Sequence, residues 1–306
     1  MENIYDLAIL GAGPAGICAA IYATRAKLNT IWLDKKFVQG GQIVDTYEVD
    51  NYPGLPGITG LDLGEAMAGH AKKLGMKPQR EPVRSIKAEQ GIKVIRTKKN
   101  EYRARAVIIA CGATHRHLGI PGEEELSGMG VSYCATCDAA FFQDRTVVVV
   151  GGGNVAVEDA ILLSRTCKKV YLVHRRDELR AEKILQECLF ACKNVELIWD
   201  SIPLSIEGTD KVEALKIQNK KTQEESFIET DGVFIAVGIV PGTEKFKDLV
   251  KLDEAGYIVA GEDGITSEPG IFAAGDIRTK NLRQVVTAVA DGANAVASAQ
   301  RYLLDK

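Results

Sequence analysis

The sequence predicts an α/β chain of two doubly wound domains, the second inserted into a discontinuous first. Three observations predict it. Residues 6–20, DLAILGAGPAGICAA, recur without a gap as residues 146–160, TVVVVGGGNVAVEDA, 140 positions further on. Val107–Gly112, VIIACG, recurs as Val233–Gly238, VFIAVG, 126 positions further on. Residues 271–278, IFAAGDIR, then add a strand after the second repeat is complete, followed by an Ala-rich helix pattern over Arg283–Tyr302.

Each long repeat reads as strand, glycine turn, helix start. Gly11, Gly13 and Gly16 stand in register with Gly151, Gly153 and Ala156. This is G-x-G-x-x-G/A in the strand–turn–helix context that gives the pattern its meaning. The first glycine permits the tight turn, the second lets backbone approach a pyrophosphate, and the third lets helix and strand pack closely. The helix N-terminus then offers free N–H groups and a positive dipole end to phosphates. The fold class is therefore two Rossmann-like three-layer dinucleotide-binding domains.

The next strand separates the two nucleotides. Thr30–Asp34, TIWLD, ends in an acid 23 residues after Gly11, where a ribose-binding acid belongs. The position 140 further on is His174, which opens His174-Arg175-Arg176, with Arg180 four residues later. An acid repels a 2′-phosphate and accepts hydrogen bonds from a free ribose diol, whereas arginines grip a 2′-phosphate through charge-assisted forks. The first repeat should hold an adenine nucleotide with a free diol, such as FAD, and the second NADPH. The expected organisation is an FAD-binding domain over 1–114 and 245–306 with an NADPH-binding domain over 115–244, the chain crossing between them near 111–118 and 240–248. Between the repeats, Leu61–Leu74 reads as an amphipathic helix stopped by Gly75. Lys77–Arg105 and Ile202–Thr230 read as short alternating strands.

Composition agrees with this reading. The 306 residues are 46% apolar and 26% charged, which excludes a disordered chain, a coiled coil and a collagen-like fibre. A net charge of −3 gives no basic footprint for nucleic acid. The opening MENIYDLAIL carries Glu2 and Asp6 and lacks the basic start of a signal peptide. No apolar run approaches the ~20 residues of a membrane helix, so a cytoplasmic protein is expected, with neither membrane nor nucleic acid as partner. The 30 glycines exceed the roughly 21 of average usage by about what two nucleotide turns and their strand exits require.

The seven cysteines are an odd number without framework spacing, so most should be free thiols. Cys18, Cys111, Cys167, Cys188 and Cys192 are expected to be buried apolar filler. Cys134-Ala135-Thr136-Cys137, followed by Asp138, stands nine residues ahead of the second repeat. Zinc would need two more ligands at metal-like spacing. Cys188 and Cys192 have no histidine nearby, and His70, His115, His117 and His174 form no such pair, so no metal is expected. A redox dithiol needs only this pair, held at a helix start that favours the thiolate, and two dinucleotide sites in the same chain favour that reading.

With GAGPAG (11–16), GGQ (40–42), CATCD (134–138), GGGNVAVE (151–158), HRRDELRAEK (174–183), FAAGD (272–276) and RQVVTAVADG (283–292), the chain closely resembles the low-molecular-weight thioredoxin reductases over essentially its whole length. The resemblance implies a class II pyridine nucleotide-disulfide oxidoreductase. In that family NADPH reduces FAD, FAD reduces the Cys134–Cys137 disulfide, and the dithiol reduces thioredoxin. It assigns Cys137 to the flavin side, Cys134 to attack on thioredoxin, and Asp138 to the proton. A second role for Asp138, as an acid near a helix start worth ~0.3–1 kcal/mol, is compatible. FAD contacts are implied for Gly40, Gly41, Gln42, Asn51, Asp276, Arg283 and Gln284, and by extension for Pro14, Ala15, Lys35, Val83, Gly112 and Val285. NADPH contacts extend from Gly151, Gly153 and Ala156 to Asn154, Val155 and Glu158.

Because the cysteine pair precedes the first strand of its domain while the nicotinamide belongs beyond the strands' carboxyl ends, one fixed arrangement should not present both to one flavin. A rigid-body rotation on the two crossings is expected, and the family implies a homodimer. Two positions depart from the family pattern. Val155 stands where a Ser or Thr hydroxyl usually meets the pyrophosphate, a loss of ~1.5–3 kcal/mol where nothing replaces it. Ala139 stands where glycine is common. Two alternatives remain. One is a flavoprotein reductase of another disulfide partner, a peroxiredoxin or glutaredoxin-like protein. Such a peroxide-system flavoprotein usually carries a further N-terminal disulfide domain and tends toward NADH, whereas here the first strand starts at Ile4 and the arginines favour NADPH. The other is a nucleotide-binding redox sensor without turnover, against which the intact CATCD argues.

Overall fold

The computed structural model describes residues 4–46 and 48–305. The chain divides into two compact units, one running to Thr114 and resuming at Val240, the other spanning His115–Ile239.

In the first unit the strand Ile4–Leu10 lies at the centre of a parallel array. The order is Gln79–Arg80, Thr30–Asp34, Ile4–Leu10, Glu101–Ile109, Ile271–Ala273. Counted within this unit the order is 3-2-1-4-5, the doubly wound arrangement whose ligand crevice lies at the carboxyl ends of the strands. Both sheet faces are covered, which is why the central strands are continuous apolar runs. With a side-chain period of two, Leu7 and Ile9 pack with Ala19, Ala23, Ala295 and Ala299 of the helices Pro14–Arg25 and Val285–Leu304. Ala8 and Leu10 pack on the other face with Ile95, Ile109, Val250 and Ile258. The first half of Glu101–Ile109 turns to antiparallel pairing with Ile92–Thr97, which pairs with Val83–Glu89.

The second unit repeats the plan. Its parallel order is Val195–Ile198, Lys169–Val173, Thr146–Gly151, Gly232–Ala236, Val131–Ser132. A separate antiparallel sheet of Ser201–Glu207, Ala214–Asn219 and Glu225–Glu229 accounts for the alternating pattern there. The duplication extends to strand register. The pair Leu7↔Thr30 recurs as Val147↔Val170, and Leu10↔Leu33 as Val150↔Val173, each partner displaced by 140. The pair Ala8↔Val107 recurs as Val148↔Val233, displaced by 140 and 126. A slip of one residue would turn every core side chain to the wrong face, so the registers could not drift apart as the sequences did.

The two crossings, Ala113–His115 and Ile239–Pro241, pair as a two-stranded sheet. The return to the first unit falls at Val240, five residues before the sequence-based boundary of 245, because this pairing keeps residues 240 and 241 with their strand partner. The helix expected over 61–74 spans Gly60–Lys73, capped by the Thr59 hydroxyl, which accepts the Asp62 N–H at 3.1 Å. The last helix starts at Val285 rather than Arg283, where Gln284 and Thr287 form a reciprocal capping box. One expectation fails. Cys18 and Cys167 are buried, but Cys111 and Cys188 are exposed and Cys192 is half-buried. Cys188 lies on the helix Lys183–Phe190, which buries Leu189 instead, and Cys111 follows a strand at the open carboxyl edge of its sheet. Among the described residues no helix is long and apolar enough to cross a membrane.

Candidate functional site

Cys134 and Cys137 form a disulfide. Cys134 is extended, φ −144° and ψ 96°, and caps the single helical turn Ala135–Asp138. Its sulfur accepts the Cys137 N–H at 3.2 Å, and its carbonyl accepts the Asp138 N–H at 3.1 Å. Ala135 anchors the turn in the core while both cysteines stay half-buried. Ala139 adopts φ −54° and ψ −34°, a region open to any residue, so the departure from glycine costs the backbone nothing.

Three side chains that sequence reasoning missed hold this turn. Ser132 Oγ donates to Asp138 Oδ2 at 2.6 Å and accepts the Cys134 N–H at 3.1 Å. Burial pushes the Asp138 carboxyl above its ordinary pKa, and the Ser132 hydrogen bond opposes that push. Tyr133 donates its hydroxyl to Glu123 Oε1 at 2.7 Å and lies 2.9 Å from His117 Nδ1. Glu123 is buried and also accepts the N–H groups of Leu118, at 3.0 Å, and Gly119, at 2.7 Å. Burial alone would raise its pKa, but Tyr133 and the backbone N–H groups outweigh burial and hold the carboxyl below its usual range. His115 stacks on Tyr133 with ring centroids 5.3 Å apart. The only signal in the sequence was a hydroxyl two residues ahead of the cysteine pair.

In the first unit the glycine turn is dictated by close approach. Gly11 has φ +109°, and a Cβ there would lie 2.3 Å from the Ala110 carbonyl oxygen. A Cβ on Gly16 would lie 2.0 Å from the Gly11 oxygen. Gly13 caps the helix with Pro14 at its first turn, and Ala15 and Gly16 are buried behind it. The Gly40 N–H bonds to the Ala12 carbonyl at 2.7 Å, which brings Gly40-Gly41 against Gly13. Gln42 Nε2 donates to the Ala113 carbonyl. Asn51 Nδ2 donates to Gln284 Oε1 at 3.0 Å, beside Val285 at the start of the last helix. Asp34 accepts the Lys36 N–H at 3.2 Å. Burial pushes its pKa up, opposed by N–H groups of Lys35, Lys36 and Ala12. Arg283 lies over the Tyr257 ring at 4.0 Å. Burial likewise raises Asp276, against the charges of Lys280 and Arg283. Gly112 has φ +68° at its strand exit. Val83 belongs to the antiparallel layer, where Lys245 Nζ reaches its carbonyl at 2.7 Å.

In the second unit Gly153 caps the helix Asn154–Ser164, and Ala156 is fully buried behind the turn. Asn154 and Glu182 exchange hydrogen bonds at 3.1 and 2.9 Å. The Arg180 N–H bonds to the Gly152 carbonyl at 2.8 Å, bringing the arginine loop onto the glycine turn. Arg175, Arg176, Arg180 and Glu158 are exposed, as is Val155 at 53%. His174 differs: it is buried, and a Cβ on Gly152 would lie 2.2 Å from its Nδ1. Burial holds its imidazole below the ordinary pKa, and Arg180 and Arg175 add to the effect.

Among the described residues three buried side-chain polar atoms have no hydrogen-bond partner: His174 Nε2, Asp276 Oδ1 and Arg283 Nε. An unsatisfied buried polar atom costs ~1–3 kcal/mol. All three belong to residues assigned to cofactors from the sequence, so the donors and acceptors present fit FAD in the first unit and a nicotinamide nucleotide in the second. Among the described residues no group of three or more His, Cys, Asp or Glu is placed to hold a metal ion.

The profile of the pyridine nucleotide-disulphide oxidoreductases matches residues 5–292. The chain belongs to that family. Pyridine nucleotide-disulphide oxidoreductases similar to it include a thioredoxin reductase of Listeria innocua, 49% identical over 303 residues, covering 99% of this chain and 95% of the relative. Another, of Peptoclostridium acidaminophilum, is 48% identical over 310 residues, covering 99% and 98%. Among solved structures, the thioredoxin reductase of Streptococcus pyogenes superposes with a TM-score of 0.95 at 45% identity, covering all of both chains. That of Lactococcus lactis, in its FR conformation, gives a TM-score of 0.68 at 42% identity, covering 99% and 100%.

Proposed function

We propose that the chain is an NADPH-dependent thioredoxin reductase, with FAD in the first unit, NADPH in the second, and Cys134–Cys137 as the redox pair. The observation that carries the proposal is the half-buried Cys134–Cys137 disulfide in a chain with two dinucleotide turns. The similarity to thioredoxin reductases over nearly the whole length supports thioredoxin as the disulfide substrate.

FAD, when bound, relays electrons from NADPH to the disulfide. Its first-unit contacts would be the turn Gly11–Gly16, Asp34 with Lys35, Gly40-Gly41-Gln42, Asn51, Val83, Gly112, Asp276 and Arg283-Gln284-Val285. NADPH would lie on Gly151, Gly153, Asn154, Val155, Ala156 and Glu158, its 2′-phosphate between Arg175, Arg176 and Arg180, and its contact with the buried His174 through Nε2. In the reduced chain the Cys134 thiolate attacks one sulfur of the partner disulfide. That bond breaks, a Cys134–partner disulfide forms, and the leaving sulfur takes a proton. Cys137 then attacks the Cys134 sulfur, re-forming the internal disulfide and releasing the partner as a dithiol, so two electrons and two protons leave the chain. Asp138 passes the proton, oriented by Ser132. A rotation of the two units on their paired crossings alternates access. A homodimer in the cytoplasm completes the reading.

Anaerobic titration of the yellow protein with NADPH tests the proposal. Uptake should reach two electrons for flavin and two for the disulfide, and a thioredoxin disulfide should reoxidise the protein. Full reduction by NADPH without reoxidation by thioredoxin would overturn the substrate and point to another disulfide protein.

A further inference from the structure

The strand Ile271–Ala273 leads into Gly275-Asp276, and a buried ionic cluster closes against that turn. Asp291, from the inner side of the helix Val285–Leu304, and Arg278 are each 2% exposed. The Lys280 side chain is also buried. Asp291 Oδ2 accepts from the Gly275 N–H, Arg278 Nε and Lys280 Nζ, each at 2.8 Å. Asp291 Oδ1 accepts from Arg278 Nη2 at 2.6 Å. Arg278 Nη2 also reaches Glu262 Oε1 at 3.0 Å, out at the surface. The helix itself is held close by its neighbour: a Cβ on Gly292 would lie 2.2 Å from the Ala15 carbonyl oxygen.

Buried ion pairs are weak sources of stability, because desolvation offsets the Coulomb gain and apolar replacements are often neutral or better. Three charges in an otherwise Ala-rich core therefore call for another role. Arg278 is shared between Asp291 and Glu262, and the buried Lys280 places its positive charge near Asp276, the residue whose Oδ1 lacks a partner.

We propose that Asp291, Arg278 and Lys280 are positioning residues for FAD: by seizing the Gly275 N–H they fix the turn that aims the Asp276 carboxylate at the cofactor's hydroxyl groups. The proposal rests on the FAD reading of the first unit. The Lys280 charge also opposes the burial that raises the Asp276 pKa. The charged and titratable groups facing Asp276 are Lys280, Arg283 and Asp291, with the Tyr257 hydroxyl close enough to feel its charge. Lys280 and Arg283 lower its pKa against burial, and Asp291 raises it.

The test is FAD binding by flavin-stripped full-length chain, followed by quenching of flavin fluorescence between about pH 6 and 9, a range spanning neutral pH. Asp291→Asn should weaken FAD about tenfold or more. Lys280→Met should bind more weakly at the acid end and recover toward the parent at the alkaline end, and Lys280→Arg should restore the parent profile. Dissociation constants within about twofold of the parent at every pH, with only thermal stability lowered, would make the cluster structural and overturn the proposal. If Asp291→Asn fails to fold, the Lys280 pair decides alone. A parent chain that takes up no FAD would overturn the FAD reading and this proposal with it. Parent-like variants in a chain that does bind FAD would overturn this proposal only.

Discussion

Ser132 Oγ lies 2.6 Å from Asp138 Oδ2 and 3.1 Å from the Cys134 nitrogen, so one hydroxyl joins the Asp138 carboxyl to the backbone of the first cysteine of the disulfide. Ser132→Ala should therefore change chemistry without unseating a cofactor. A hydrogen bond to a charged group contributes ~1.5–3 kcal/mol, or about one to two pKa units. Burial already raises Asp138. Without Ser132 its pKa rises further, and the alkaline limb of the pH profile for thioredoxin reduction, set by loss of the proton that Asp138 is proposed to pass, moves to higher pH. Stopped-flow reduction of thioredoxin across pH 5–9, about the range such a limb would cross, checks it. An unmoved limb refutes the role of Ser132.

Asp138→Asn removes the carboxyl proposed to carry the proton but keeps the shape. Thioredoxin reduction should slow by roughly 10²-fold or more, the usual scale of general acid–base catalysis, with FAD content unchanged by absorbance. Unchanged turnover would sink the acid/base role.

Val155 is 53% exposed in the first turn of the helix Asn154–Ser164. Val155→Thr places a hydroxyl where a pyrophosphate would lie. NADPH should bind about tenfold more tightly, with the KM for thioredoxin unchanged. Isothermal titration with NADP⁺ decides the point.

Arg176→Ala removes one exposed cation from the loop held to Gly152 by the Arg180 N–H. The preference for NADPH over NADH should fall roughly tenfold or more, because only NADPH carries the 2′-phosphate. A parallel loss with both nucleotides would mean that Arg176 binds something else.

Asp159 predicts a pH dependence of stability. Burial, with the adjacent Glu158 charge, pushes its pKa up to about 7 from the ordinary 3.8. The native chain therefore keeps a proton that the unfolded chain releases, and stability falls as pH rises between these two values. Asp159→Asn should melt with the parent at about pH 3, below both values. It should melt several degrees higher at pH 8, above both. Equal melting temperatures at both pH values would show Asp159 to be ordinarily ionised.

What the sequence made legible was what repeats. The 140-residue offset aligned the glycine turns, and the structure extends it to strand register at Leu7↔Thr30 and Val147↔Val170. Backbone geometry of that kind depends on spacing, which a sequence displays. Side-chain partnerships across loops do not. Nothing in the spacing ties Tyr133 to Glu123, or Asp291 to Gly275, because each pair meets only through the path of the irregular segment between them. His174 shows the same limit. It occupies the position equivalent to Asp34 but turns inward over Gly152, where the missing Cβ leaves room for a ring.

The discontinuity of the first unit also orders events during synthesis. The second unit is complete once Ile239 has been made. The first unit still lacks its fifth parallel strand, Ile271–Ala273, and the helix Val285–Leu304 that covers the fingerprint helix. Domains fold as units as they emerge from the ribosome. The nascent chain therefore carries a finished second unit beside an open half-sheet, and the first unit's glycine turn can be enclosed only at the last step of assembly.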